Sequence, residues 1–190
     1  GDSAGLLLVP LALAPTVRAA YTKPGYEYID EDYSADPDNL WGASSWNVTN
    51  LTATTGQADP SGGTGATRYT DDSTSSQKRW IRNNTAVSMS GLPKTYTFGV
   101  YLKNYAGRDA YIGLLTNSST SPDGFGVWTR VNLSTGVMAA NSAGTGYSLI
   151  DRTSTDLGNG WWFATLTASV PSGAGSSLYG YVAPNGWSGY

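Results

Sequence analysis

Asn159-Gly160 is the feature that most narrows what this chain can become. An Asn-Gly pair supplies the two positive φ angles of a tight hairpin turn, and a strictly alternating segment follows at once. Trp162, Ala164, Leu166, Ala168 and Val170 fall on one face of that segment. Trp161, Phe163, Thr165, Thr167 and Ser169 fall on the other. The pattern describes an antiparallel strand with one face in a core, entered from a glycine-rich turn. Trp162 is expected in the core, so its truncation should unfold the domain. Trp161 is expected on the outer face, either as a lid over a sheet edge or as a contact for a neighbour.

The same period-2 pattern recurs along the chain. Tyr96–Lys103 places Tyr96, Phe98, Val100 and Leu102 on one side, with Thr97, Gly99, Tyr101 and Lys103 on the other. Gly126–Leu133 sends Val127, Val131 and Leu133 inwards, with Trp128 and Arg130 outwards. Ser177–Ala183 sends Leu178, Gly180 and Val182 inwards, with Tyr179 and Tyr181 outwards. Shorter strands are expected near residues 26–30, 46–54, 67–70, 78–82 and 111–115, with a loop at 56–66. No helical period competes. With 24 glycines and 12% aromatics among 190 residues, the chain is expected to be all-β. A globular part of about 150 residues buries roughly 70% of its unfolded surface, enough for a core without covalent staples.

Two absences limit the chemistry. With no histidine and no cysteine, Ser-His and Cys-His catalysis, imidazole and thiolate metal ligands, and disulfides are all excluded. A carboxylate pair is the remaining common catalytic device. Glu27 and Glu31 are the chain's glutamates, and both lie in an acidic N-terminal stretch. Asp109, Asp123, Asp151 and Asp156 are expected in turns, where aspartates ordinarily accept backbone hydrogen bonds. The expectation is a protein that is not an enzyme.

Residues 1–38 read as an extended N-terminal arm. Leu6, Leu7, Leu8, Val9, Leu11 and Leu13 form an apolar run too short to span a membrane and broken by Pro10 and Pro15. Ala12-Leu13-Ala14 has the look of a signal-peptide cleavage site, but the basic leader is missing. An apolar arm in water invites aggregation, so these six residues are expected to dock, on the domain's own surface or on another subunit. Asp30, Glu31, Asp32, Asp36 and Asp38 could surround calcium. They lack EF-hand spacing, and a solvated acidic turn is the favoured reading, with no cofactor required. Lys78-Arg79-Trp80-Ile81-Arg82 is read as a polar strand face. At a net charge of −3, nothing gathers the broad basic surface that nucleic acid demands.

The outward aromatics Tyr101, Trp128, Tyr179 and Tyr181, with Arg130, are the candidate binding residues. Flat rings with polar neighbours suit the apolar faces of sugars, and the same residue types suit a subunit interface. Both readings stand, and they are compatible.

Five short motifs occur in order. They are Asn39-Leu40-Trp41 with Ser45-Trp46, Asp59-Pro60-Ser61-Gly62-Gly63, and Tyr96-Thr97-Phe98-Gly99-Val100-Tyr101-Leu102-Lys103. Asn132-Leu133-Ser134-Thr135-Gly136 and Asn159-Gly160-Trp161-Trp162 complete the set. Across residues 39–183 the chain resembles a carbohydrate-binding-module-like jelly-roll domain of phage virion proteins. The resemblance implies a jelly-roll β-sandwich over residues 39–190, displayed on a fibre, spike or head decoration and binding host-surface glycans. Residues 1–38 would then attach it to other virion proteins, and the subunit would be a homo-oligomer, with a trimer one candidate. No catalytic residue is carried over. The alternative is a carbohydrate-binding module of a secreted glycoside hydrolase. One departure stands out, since that family closes with a further apolar strand beyond the point where this sequence reaches Gly186-Trp187-Ser188-Gly189-Tyr190. Either the sequence is incomplete at this end, or a neighbour or the N-terminal segment fills the place of that strand, since a sheet edge would otherwise stay unpaired.

Overall fold

The computed structural model describes residues 5–9, 27–29, 46–60, 62–71, 79–83, 87–88, 94–104, 109–116, 126–174 and 177–184. The described strands are, in chain order, β1 (Gly5–Val9), β2 (Glu27–Ile29), β3 (Trp46–Thr49), β4 (Leu51–Gln57), β5 (Ala66–Asp71), β6 (Trp80–Asn83) and β7 (Val87–Ser88). They continue with β8 (Lys94–Asn104), β9 (Asp109–Thr116), β10 (Gly126–Asn132), β11 (Met138–Ala143), β12 (Ser148–Gly158), β13 (Trp161–Val170) and β14 (Ser177–Pro184). The protein is all-β, as its alternation requires.

The strands form two seven-stranded sheets. The first runs β12-β13-β8-β1-β5-β4, with β2 also on β8. The second runs β11-β10-β9-β14-β6-β3, with β7 also on β14. Pairing is antiparallel except for β2 on β8, which is parallel. The core lies between the sheets, a β-sandwich arrangement. Tyr96, Phe98, Val100, Leu102, Ala164, Leu166 and Ala168 from one sheet meet Ile112, Leu114, Val127, Val131, Leu178 and Val182 from the other. These are the inward positions that the alternation selects.

Two turns hold the strands in register. At the β12–β13 hairpin Asn159 has φ 52° and Gly160 has φ 78°, the mirror-image turn that Asn-Gly encodes. After β10, the Asn132 side-chain oxygen accepts from the N–H groups of Ser134 (2.9 Å) and Thr135 (3.0 Å). Gly136 follows at φ 72°, and a Cβ there would stand 2.1 Å from the Trp162 ring. Glycine is thus required at Gly136 for its backbone angle and for the ring above it.

Polar groups tie the two sheets together along one edge. Trp162 Nε1 donates to Leu133 O at 3.0 Å, Ser154 Oγ to Gly136 O at 2.5 Å, and Arg152 Nη1 to Thr129 Oγ1 at 3.2 Å. Trp162 therefore sits at the core's rim, half-buried and packed against it. Trp161 lies on the outer face, as the alternation expects, but it is not open to a neighbour. It is only 2% exposed, sealed in a second cluster with Ala66, Tyr101 and Phe163 on the far side of β13.

Gly5–Val9, expected within an arm, is a strand inside the first sheet. It pairs antiparallel with β5 on one side and β8 on the other. An unbroken apolar run between a glycine and a proline is how a strand in the middle of a sheet reads. Leu11, Leu13, the acidic residues 30–38 and residues 186–190 lie outside the described residues. β11 and β12 were not expected as strands. Both are at sheet edges, where polar sequences are common because one flank faces solvent. Asp151 and Asp156 consequently lie within β12, and Asp109 opens β9, rather than in turns. Asp123 lies outside the described residues.

Candidate functional site

The outer face of the second sheet carries most of the candidate residues, and strand register determines how they meet. In β10, Trp128 lies opposite Gly113 of β9, and Gly113 lies opposite Tyr181 of β14. Tyr181 in turn lies opposite Arg82 of β6. One residue pair along, Arg130 faces Tyr111, and Tyr111 faces Ala183. Alternation within each strand keeps all of these off the main core.

Gly113 leaves the middle of its row without a side chain. A Cβ there would approach Trp128 Cβ to 3.2 Å and Val127 O to 3.1 Å. The rings beside it pack in pairs. Tyr111 and Trp128 have centroids 5.1 Å apart and tilted by 44°. Trp80 and Tyr181 are 5.4 Å apart, and Tyr179 meets Tyr181 edge-on at 6.4 Å. The Arg82 guanidinium lies 4.7 Å from the Tyr179 ring centre and 5.4 Å from that of Trp80, within cation–π range.

Burial divides this face in two. Trp80, Leu115, Tyr181 and Ala183 form a sealed inner group, and Tyr181 is 0% exposed. Burial disfavours the phenolate and pushes the Tyr181 pKa above 10.0, against the opposing pull of the Arg82 hydrogen bond and charge. Tyr181 is therefore a packing residue, which corrects the expectation that it lies open for contact. The half-buried members are Tyr111, Trp128, Arg130 and Tyr179. The Arg130 side chain keeps 40% of its surface, with Nε 3.5 Å from Asp109 Oδ2. Among the described residues, Trp80 Nε1, Trp128 Nε1, and Nε and Nη1 of Arg82 are buried donors without a hydrogen-bond partner.

Tyr101 does not join them. It lies on the outer face of the other sheet, 5% exposed, with its ring 4.8 Å from that of Phe163. The five candidates thus belong to two opposite faces. Trp128 and Arg130 are half-buried neighbours on one side of this face and Tyr179 is half-buried on β14, opposite Leu115, while Tyr101 and Tyr181 are interior. Tyr111, Trp80, Arg82 and Asp109 also belong to this face; the sequence places Trp80 and Arg82 on a polar strand face and Asp109 in a turn, and names none of the four as a binding candidate. For Tyr111 the signal was parity, since it shares its face with Gly113 and Leu115. The run Tyr111-Ile112-Gly113-Leu114-Leu115 is too evenly apolar to show which side is which.

A concavity lies at one end of the Tyr101 face. This groove, of about 700 Å3, is lined by Ala58, Asp59, Pro60, Gly62, Lys103, Leu157, Gly158, Asn159 and Trp161. Asp59 is committed to its own loop, where its carboxylate accepts from Gly63 N–H at 2.9 Å and Gly65 N–H at 3.0 Å. The Lys103 ammonium stands 5.7 Å from the Trp161 ring centre. Neither place brings two carboxylates together among the described residues, and the chemistry on offer is stacking and hydrogen bonding. Comparison with protein-family models and with curated proteins finds no match.

Proposed function

We propose that this chain is a non-enzymatic structural subunit of a phage virion, a fibre, spike or capsid decoration. Its jelly-roll sandwich would bind host-surface glycans through the strip formed by Tyr111, Trp128, Arg130 and Tyr179. The virion role rests on the five ordered motifs and their resemblance to phage jelly-roll domains. The adhesion role rests on one observation, the tilted Tyr111–Trp128 ring pair with Arg130 directly opposite Tyr111. The rings offer apolar faces for the C–H surfaces of a pyranose. Arg130, held beside Asp109, offers donors for its hydroxyls or for the carboxylate of an acidic sugar.

A glycan array probed with the native chain, Trp128→Ala and Tyr111→Ala tests adhesion. Binding by the native chain that both variants lose, with melting transitions intact, is the expected outcome. If the native chain binds no glycan, the strip is a contact between subunits, where Tyr, Trp and Arg are also enriched. Mass spectrometry of purified particles from the strain carrying the gene tests the virion role separately. Absence of the polypeptide from those particles overturns it.

A further inference from the structure

The position of β1 carries an inference that does not depend on the function proposed above. β1 is antiparallel to both of its neighbours, with Leu6, Leu7 and Leu8 opposite Tyr69, Arg68 and Thr67 of β5. On its other side Leu7, Leu8 and Val9 lie opposite Lys103, Leu102 and Tyr101 of β8. β5 and β8 therefore run parallel to each other, with β1 between them. Without β1 they would be left about 10 Å apart, each with an unpaired edge. Closing that gap would move Tyr69 and Leu102, both committed to the main core. The slot is a persistent acceptor for one short apolar strand.

The chain that leads out of the slot is far longer than it needs to be. β1 and β2 pair with the same edge of β8, Val9 opposite Tyr101 and Glu27 opposite Tyr96. Five strand positions separate those points, about 17 Å at roughly 3.4 Å per residue. The connection, residues 10–26, holds seventeen residues, with a reach of about 55–60 Å when extended. That excess is enough to carry Gly5–Val9 to a neighbouring molecule while β2 stays in place.

We infer that the β5–β8 slot is a strand-acceptor site whose occupant in the assembled protein is the Gly5–Val9 segment of a second copy. Identity of sequence makes the exchanged strand fit as well as the chain's own, so exchange adds no new contact that must be optimised. The backbone edges of β5 and β8 supply affinity, and the alternating register supplies specificity. Copies are thereby linked through completed sheets, leaving the strip on the other sheet unoccupied.

The chain has no cysteine, which makes a crosslink decisive. Leu7 and Lys103 are opposite across an antiparallel pair, a separation that a disulfide spans. Leu7→Cys and Lys103→Cys chains should be unfolded together, refolded at increasing concentration and oxidised. A mixed disulfide dimer whose yield grows with concentration is expected. No mixed dimer at any concentration, while a Leu7→Cys/Lys103→Cys chain closes its disulfide within a monomer, overturns the inference. So does a double variant that folds and closes no disulfide, since the register would then be wrong. A second variant removes residues 10–23 and leaves three connecting residues, a reach of about 14 Å against the roughly 17 Å required. It should be a dimer by light scattering, and a folded monomer overturns the inference as well.

Discussion

The two sheets turn outer faces of similar composition to opposite sides of the sandwich, yet the faces behave differently. On the β8–β13 face, Tyr101, Trp161, Phe163 and Ala66 close over one another. Beside them a hydroxyl ladder runs across the strands, with Thr97 Oγ1 2.9 Å from Thr167 Oγ1 and Thr153 Oγ1 2.6 Å from Thr165 Oγ1. That face is a second, smaller core. On the β9–β14 face, Trp80 and Tyr181 are sealed, but Tyr111, Trp128, Tyr179 and Arg130 stay half-open around them. The difference lies in charge. Arg130 and Asp109 keep the margin of the second face partly exposed, whereas at the ring cluster of the first the Lys103 ammonium stands over Trp161. Aromatic residues opposite a core thus mark two things, and neighbouring charges separate them.

The sharpest test of that contrast is Phe163→Ala. If the β8–β13 face is truly a core, truncation should cost about 3–5 kcal/mol, the range for a buried aromatic. Phe163 also fills the space above Gly99, where a Cβ would stand 2.9 Å from its Cζ. Urea unfolding of the variant should show a lower midpoint and an unchanged slope. A cost below about 1 kcal/mol would make that face an ordinary surface and erase the distinction.

Tyr181→Phe probes the sealed part of the other face. Losing a hydrogen bond to a charged partner should cost about 1.5–3 kcal/mol at neutral pH. The pH dependence adds a second signature. Because the folded phenol titrates above 10.0, the unfolded chain gives up this proton first. The Tyr181 contribution is therefore intact below about pH 10 and is lost as pH rises through the folded value. The native protein should lose stability on that alkaline limb more steeply than Tyr181→Phe does. Equal slopes would place Tyr181 in water.

Most of the fold was legible because strands report burial by alternation. Tyr96–Lys103 and Trp161–Val170 declare their inward residues, and Asn159-Gly160 declares its turn. Three things were not legible, for physical reasons. β12 is a polar edge strand bent by register shifts at Leu149/Asp151 and Asp156/Gly158, and bulges interrupt the period on which such reading depends. Gly5–Val9 is apolar at every position, so periodicity gives it no face and leaves its place to tertiary pairing. The accessibility of Tyr101 and Tyr181 is settled by neighbours far away in sequence, Phe163 for one and Trp80 for the other. Alternation could say only that both point away from the main core.

Trp128→Ala carries the contrast to the open part of the β9–β14 face. Its ring contacts Tyr111 but stays half-buried, so the stability cost should be about 1–2 kcal/mol, well below that of Phe163→Ala. Loss of stability as large as that of Phe163→Ala would show that the two faces are cores alike.

The smallest effect should come from Arg130→Ala. Its contact with Asp109 is 3.5 Å long and partly exposed on both sides, so water and salt screen it, and its removal should cost no more than about 1 kcal/mol. The native protein should lose a similar amount when salt is raised to about 1 M, where screening acts within about 3 Å, and the variant should be insensitive to that change. If Arg130 instead binds ligand, affinity will fall in the variant far more than stability does. A fall in stability of several kcal/mol would mean that the guanidinium stem is part of the ring packing, and the margin that separates this face from the sealed one would move outwards past Arg130.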